Sequence, residues 1–275
     1  MRHMVLKYVF GLLLLMFALG FCVYILQRPS NERNWNGDQA LLPYSLVEGS
    51  NVIIHNVRNF SYIDKLTYVP AYYDKTYNLD TLQSVDYIVE QLDGVGAAHT
   101  FLSFGFSTGE YVSISVEIRK EVGEKFSPIL GILRKYELMY VIADERDVIK
   151  LRTNYRKDVV FLYPLRIDAA TTKKLFLDML ARANTLQTEP EFYNTLTNNC
   201  TEAISQHINA ITTNRIPFDY RLIFPKNSDF MFSALGLIDT TLPLEQLRSK
   251  YQINNLAEQY ADSPDFSARI RSPQQ

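Results

Sequence analysis

The chain opens on residues 8–26, nineteen positions without a charge. That length suits a single helical crossing of a bilayer. Arg2, His3 and Lys7 stand ahead of it and Arg28-Pro29 behind it, a polarity that keeps the amino terminus cytoplasmic and exports the rest. The run is longer than a usual signal core and is followed by no clear small-residue cleavage site. Residues 1–28 therefore read as an uncleaved anchor, with a cleaved signal as the alternative. Residues 29–39 are polar and rich in Asn, and 29–50 read as a linker to a folded domain over 51–262. Residues 263–275 read as a frayed tail.

Within the domain the pattern shifts between periods of two and 3.6. Strands are predicted over 51–58, 84–92, 138–143 and 158–167. Residues 62–77, rich in Tyr and broken by Pro70, read as an irregular surface loop. Residues 99–106 and 110–118 alternate on either side of Ser107-Thr108-Gly109, a loop that fits a type I turn with a glycine bulge. Pairing Phe106 with Glu110 sets Leu102 opposite Ile114, Phe104 opposite Val112 and Thr100 opposite Val116 on an apolar face. The other face sets His99 opposite Glu117, Phe101 opposite Ser115 and Ser103 opposite Ser113. A one-residue slip would mix the faces, so the pattern fixes the register.

Helical patterns follow. Ser127-Pro128 opens a short helix, and 144–150 reads as a helical turn. Asp168 caps a long amphipathic helix to about Leu186, with Leu175, Met179, Leu180 and Ala183 inward. Glu189-Pro190-Glu191 reads as another short helix, and 244–251 as the last one. Asn199, with Glu202 three places on, has the form of a capping box. Ala203, Ile204, Ile208 and Ile211 recur behind it at helical spacing. The fold class is α+β: an antiparallel sheet with packed helices, plus one amino-terminal transmembrane helix.

This pattern places Cys200 at the first position of a helix. Helix N-termini carry partial positive charge and free N–H groups, which favour the nucleophilic thiolate; a merely buried thiol is the competing reading. His99 and Glu117, opposed across the hairpin at about 5 Å between Cβ atoms, form an imidazole held by a carboxylate. The candidate catalytic set is Cys200, His99 and Glu117. His207, two turns beyond Cys200 and about 10 Å along the axis, reads as a helix-surface residue. His55 is the reserve base. Arg58, Arg119 and Arg152 are the cations suited to an anionic head group, and with Asn199 and Ser103 the first two complete the substrate-binding candidates.

The 275-residue composition narrows the function classes. A formal charge of −2 gives no basic patch for nucleic acid. The two cysteines, Cys22 and Cys200, give no disulfide once Cys22 lies in the membrane. Zinc-spaced Cys and His are missing, as are a phosphate-binding glycine loop and a Gly-x-Ser-x-Gly elbow, so neither metal nor cofactor is expected.

Ordered blocks of sequence then carry a resemblance. They are 56–60 (NVRNF), 98–106 (AHTFLSFGF), 115–121 (SVEIRKE), 136–138 (YEL), 143–147 (ADERD), 151–156 (LRTNYR) and 193–201 (YNTLTNNCT). Together they resemble the Lnb amino-terminal periplasmic domain of Gram-negative envelope proteins over about residues 52–247. The resemblance implies lipoprotein N-acyltransferase activity: an acyl chain leaves a membrane phospholipid and reaches the amine of a lipoprotein's amino-terminal cysteine. It implies Cys200 as nucleophile and His99 as base. It places the domain in the periplasm, which with the single amino-terminal anchor gives the expectation of an inner-membrane, single-pass protein whose carboxyl-terminal domain is periplasmic. The order of His before Asn-Cys is similar to that of permuted papain-like thiol enzymes, so a permuted arrangement is expected. Longer Lnb members carry several membrane spans after the domain; here one apolar span precedes it. Two other readings stay open: a Cys/His hydrolase acting on lipid ester or cell-wall peptide, and a non-catalytic envelope scaffold.

Overall fold

A computed structural model describes residues 2–213, 215–239 and 241–272. Helix α1 (Arg2–Leu26) contains the stretch Val5–Leu26, long and apolar enough to cross a membrane. Strands β1 (Tyr44–Glu48), β2 (Asn51–Arg58), β3 (Ser61–Tyr62), β4 (Tyr68–Val69) and β5 (Tyr72–Asn78) follow. Then come β6 (Leu82–Gln91), β7 (Ala98–Phe106) and β8 (Tyr111–Arg119). Helix α2 (Pro128–Ile132), strand β9 (Glu137–Ala143), helix α3 (Glu145–Lys150), a π-helical turn Leu151–Arg156 and strand β10 (Val159–Pro164) continue the chain. Helices α4 (Ala169–Thr188), α5 (Cys200–Ile211), α6 (Ser228–Ala234), α7 (Leu244–Tyr251), α8 (Asn254–Gln259) and α9 (Phe266–Arg269) complete it.

The main sheet runs β1-β2-β9-β8-β7-β6-β10, with β5 also paired to β2. All its pairings are antiparallel except the single contact of Arg58 with Ala143, which joins β2 and β9 in parallel. The β7–β8 hairpin adopts the predicted register, with Leu102 opposite Ile114 and Phe104 opposite Val112. Gly109 supplies the positive φ of its turn, +85°.

Helices cover both faces. The larger core lies under α4 and α5, where Leu175, Phe176, Met179, Leu180 and Ala183 meet Leu102, Phe104 and Ile114. Each Leu, Ile, Phe or Met side chain among them contributes about 1.5–3 kcal/mol on burial. The smaller core lies on the other face, where Phe101, Met139 and Val141 meet Val148, Ala257, Phe266 and Ile270.

Several expectations are corrected. The tyrosine-rich stretch holds a strand, β5, whose hydrogen bonds to β2 override its irregular appearance. The segment read as a linker is bound to the domain: Asn31 Nδ2 donates to Leu186 O at 2.8 Å, Gln39 Nε2 to Ile118 O at 2.7 Å, and β1 pairs with β2. Residues 263–272 are no frayed tail. Phe266 and Ile270 are buried, and Arg271 reaches Asp86 at 2.7 Å and Glu145 at 2.6 Å; the tail's last residues, 273–275, lie outside the described residues. The Glu189-Pro190-Glu191 segment forms no helix but short bridges, among them Phe192 with Glu137. Two helices follow the one expected to be last.

Candidate active site

Helix α5 begins at Cys200 because Asn199, in extended geometry, accepts from Thr201 N at 2.9 Å and Glu202 N at 3.0 Å. Such a cap contributes about 1 kcal/mol. The reciprocal half of the capping box is not formed; Glu202 Oε1 faces Gln206 Nε2 at 3.5 Å instead. Ala203, Ile204 and Ile208 press the helix onto the sheet. Beside the site, Thr201 Oγ1 and Thr100 Oγ1 share a buried hydrogen bond of 2.9 Å. That bond ties the start of α5 to β7 one residue from both Cys200 and His99.

Cys200 and His99 consequently line one cleft of about 230 Å³. Cys200 is 7% exposed, and its sulfur faces the Thr201 hydroxyl at 3.7 Å. Burial alone would push the thiol up. The charge of His99 and the Thr100 N–H outweigh it and bring the thiol down to about 7. His99 is affected in the opposite sense. Burial lowers it, but the neighbouring Cys200 and then Glu117 leave it raised above its ordinary value. Each group favours the charged form of the other, the condition for a thiolate–imidazolium pair.

The imidazole is held from its far side. His99 Nε2 meets Ser115 Oγ at 2.8 Å, and Ser115 Oγ donates to Glu117 Oε1 at 2.9 Å. Glu117 itself stands 3.7 Å from Nε2. Arg152 Nη2 donates to the same Glu117 oxygen at 3.0 Å, while its Nε donates to Glu90 at 2.7 Å. Burial would raise Glu117, but the Arg152 and His99 charges hold it well below the usual carboxylate range. Arg152 is delivered by the π-helical turn, a distortion often found at functional sites. Its guanidinium also lies 4.8 Å from the Phe101 ring centre.

The structure thus brings Cys200, His99 and Glu117 together and adds Ser115 and Arg152. Ser115 shares a strand face with Glu117 two positions on, so alternation alone could have found it. The other substrate-binding candidates are corrected. Arg58 makes a bidentate pair with buried Asp147, both bonds 2.9 Å. Arg119 donates to Gln39 O, Ala40 O and Asn31 Oδ1. Ser103 donates to Glu145, and Asn199 is the helix cap. None of these four lines the cleft, whereas Arg152, Arg156 and Lys120 do. His55 bonds Asp74 at 2.7 Å at the sheet margin, outside the cleft. His207 is no surface residue: it is buried between Tyr140 and Asp178, both at 2.6 Å. Among the described residues, no group of three or more His, Cys, Asp and Glu is gathered as a metal ion would need. A larger hollow of about 640 Å³, beside Asp86, Leu162 and Arg271, lies apart from this chemistry.

Fold and site define an α+β domain behind one apolar helix, with a low-pKa cysteine at a helix start and an oriented histidine on the adjoining strand. The family model described as the Lnb N-terminal periplasmic domain matches residues 68–226. The chain belongs to that family. The matched span is narrower than the blocks of sequence suggested, yet it holds His99, Ser115, Glu117, Arg152 and Cys200. No curated protein and no solved structure matches the chain.

Proposed function

We propose that this protein is a membrane-anchored thiol acyltransferase of the inner membrane's periplasmic face, moving an acyl chain from a phospholipid to the amino-terminal amine of a lipoprotein. The observation that carries this reading is the Cys200 thiol brought to about 7 beside His99 in one cleft. Family membership supplies the lipoprotein context.

In the first half-reaction the Cys200 thiolate attacks the ester carbonyl carbon. The tetrahedral oxyanion collapses, the ester C–O bond breaks, and the leaving lysophospholipid oxygen takes the proton held by His99. A thioester on Cys200 remains. In the second half the acceptor amine attacks that thioester, His99 accepts the amine's proton, and the thiolate leaves as the amide forms. The Cys200 N–H suits the oxyanion, because Asn199 engages the next two helix-start N–H groups and not this one. Ser115, Glu117 and Arg152 keep the imidazole in place through both halves.

Intact-mass spectrometry of the full chain in phospholipid vesicles tests the reading. An acyl adduct on Cys200 that is discharged by a diacylglyceryl-cysteine peptide supports it. No adduct in vesicles, with Cys200 reactive to alkylation, overturns it. Release of free fatty acid with no transfer to the peptide selects the hydrolase instead.

A further inference from the structure

Helix α2 is built inside out. Its inward position is Gly131, where an added Cβ would stand 2.4 Å from Thr195 Oγ1 and 3.3 Å from Tyr193 Cε1. Its outward positions are apolar: Ile129 is 69% exposed, and Leu130, Leu133 and the preceding Phe126 are exposed too. A helix serving only the core would show the reverse. The core therefore does not account for this face.

Its position says what covers it. Residues 120–136 join β8 to β9 at the end where Arg119 pairs with Glu137. The anchor's exit is fastened to that same end. Ser30 N donates to Glu137 at 3.2 Å, and Arg33 pairs with Glu137 at 2.8 Å. Arg134 donates to Tyr24 O at 3.3 Å, with its guanidinium 4.3 Å from the Tyr24 ring centre. Tyr24 stands two residues before the end of the apolar span, near the level where tyrosines meet lipid head groups. Residues 120–135 also hold four cations, Lys120, Lys125, Arg134 and Lys135, against two carboxylates, Glu121 and Glu124, which suits an anionic lipid surface. Phe126 belongs both to this face and to the cleft wall around Cys200.

We propose that the β8–β9 connection is a membrane-docking face: Phe126, Ile129, Leu130 and Leu133 enter the head-group boundary of the bilayer that holds α1, and set the mouth of the Cys200 cleft against the lipid. This deepens the acyltransferase reading and rests on it for the identity of the donor, but docking is measured without catalysis.

The test uses the full chain with Cys22→Ser and Cys200→Ser, reconstituted in vesicles of phosphatidylethanolamine and phosphatidylglycerol. A single Ile129→Cys, Leu133→Cys or Thr108→Cys carries an environment-sensitive fluorophore. Thr108 sits at the far end of the β7–β8 hairpin. Lipid carrying a nitroxide on its acyl chain should quench labels at 129 and 133 several-fold more than the label at 108. Equal quenching at all three overturns the proposal. So do labels at 129 and 133 that are shielded from water but unquenched, which would mean that a second copy or another protein covers the face. In the protein with both native cysteines, Ile129→Glu with Leu133→Glu should slow acyl-adduct formation from vesicles at least about tenfold while leaving Cys200 alkylation by iodoacetamide unchanged. An undiminished adduct rate also counts against docking. If the parent forms no adduct at all, the acyltransferase reading has failed and quenching alone decides this one.

Discussion

Thr100 and Thr201 share a hydrogen bond 2.9 Å long between their hydroxyls, in full burial, and each is the next residue after a side chain of the candidate site. A strand and a helix far apart in sequence are fastened there. The Thr201 hydroxyl also faces the sulfur and helps to lower its pKa. Thr201→Val should leave the Thr100 hydroxyl with a lost partner, at about 1–3 kcal/mol. It should also slow acylation well beyond that loss of stability. Thr201→Ser keeps the hydroxyl and should restore most of the rate. Thermal unfolding and adduct kinetics on both variants separate the two effects.

The pH dependence of Cys200 alkylation follows from its surroundings. The thiol is depressed to about 7, so the rate of reaction with iodoacetamide should rise through that pH rather than near the ordinary ~8.5. His99→Ala removes the cation but keeps much of the burial. The midpoint should then move above ~8.5, and the rate at pH 7 should fall on the order of tenfold or more. An unchanged profile would place the cause elsewhere.

Ser115 and Glu117 should fail differently. Ser115→Ala removes the group touching His99 Nε2 while leaving the Glu117–Arg152 pair intact. Turnover should drop on the order of 10–100-fold with a nearly unchanged melting temperature. Glu117→Gln leaves the buried Arg152 one carboxylate short, at about 3–5 kcal/mol. The melting temperature should then fall by on the order of 10 °C, and acylation should fall with it.

Arg271 anchors α9 to two buried carboxylates, Asp86 and Glu145, away from the cleft. Arg271→Ala should destabilise the domain by about 3–5 kcal/mol, since both carboxylates lose their cation. The alkylation midpoint of Cys200 should stay near 7 in the folded protein. Differential scanning calorimetry and the alkylation profile check the two halves of this expectation.

Where a periodic pattern meets a decisive turn residue, the fold is legible in the sequence. Gly109 and the alternation around it set the β7–β8 register, and that register put His99 across from Glu117. Asn199 likewise marked the start of α5. The pattern failed where long-range partners decide. Strand β5 looks irregular because Asp74, Lys75 and Asn78 break the pattern of its tyrosines, and its pairing with β2 overrides them. Phe266 and Ile270 fell in a polar tail whose burial depends on Arg271 finding Asp86 and Glu145. The polar face of β7–β8 could be taken for a solvated one because what buries it is distant in sequence: Ser103, for one, donates to Glu145. Arg152 was within reach as a cation, but its delivery into the cleft depends on a π-helical turn that no periodicity announces.

The cleft encloses about 230 Å³, below the range of about 300–1,000 Å³ usual for sites that engulf a drug-sized ligand. An acyltransferase working there would grip the scissile ester and its immediate neighbours, leaving most of a fatty chain outside. It would then have little means of measuring tail length or unsaturation. The acyl groups it installs would echo whatever mixture the surrounding leaflet offers, and would change with growth temperature as that mixture does.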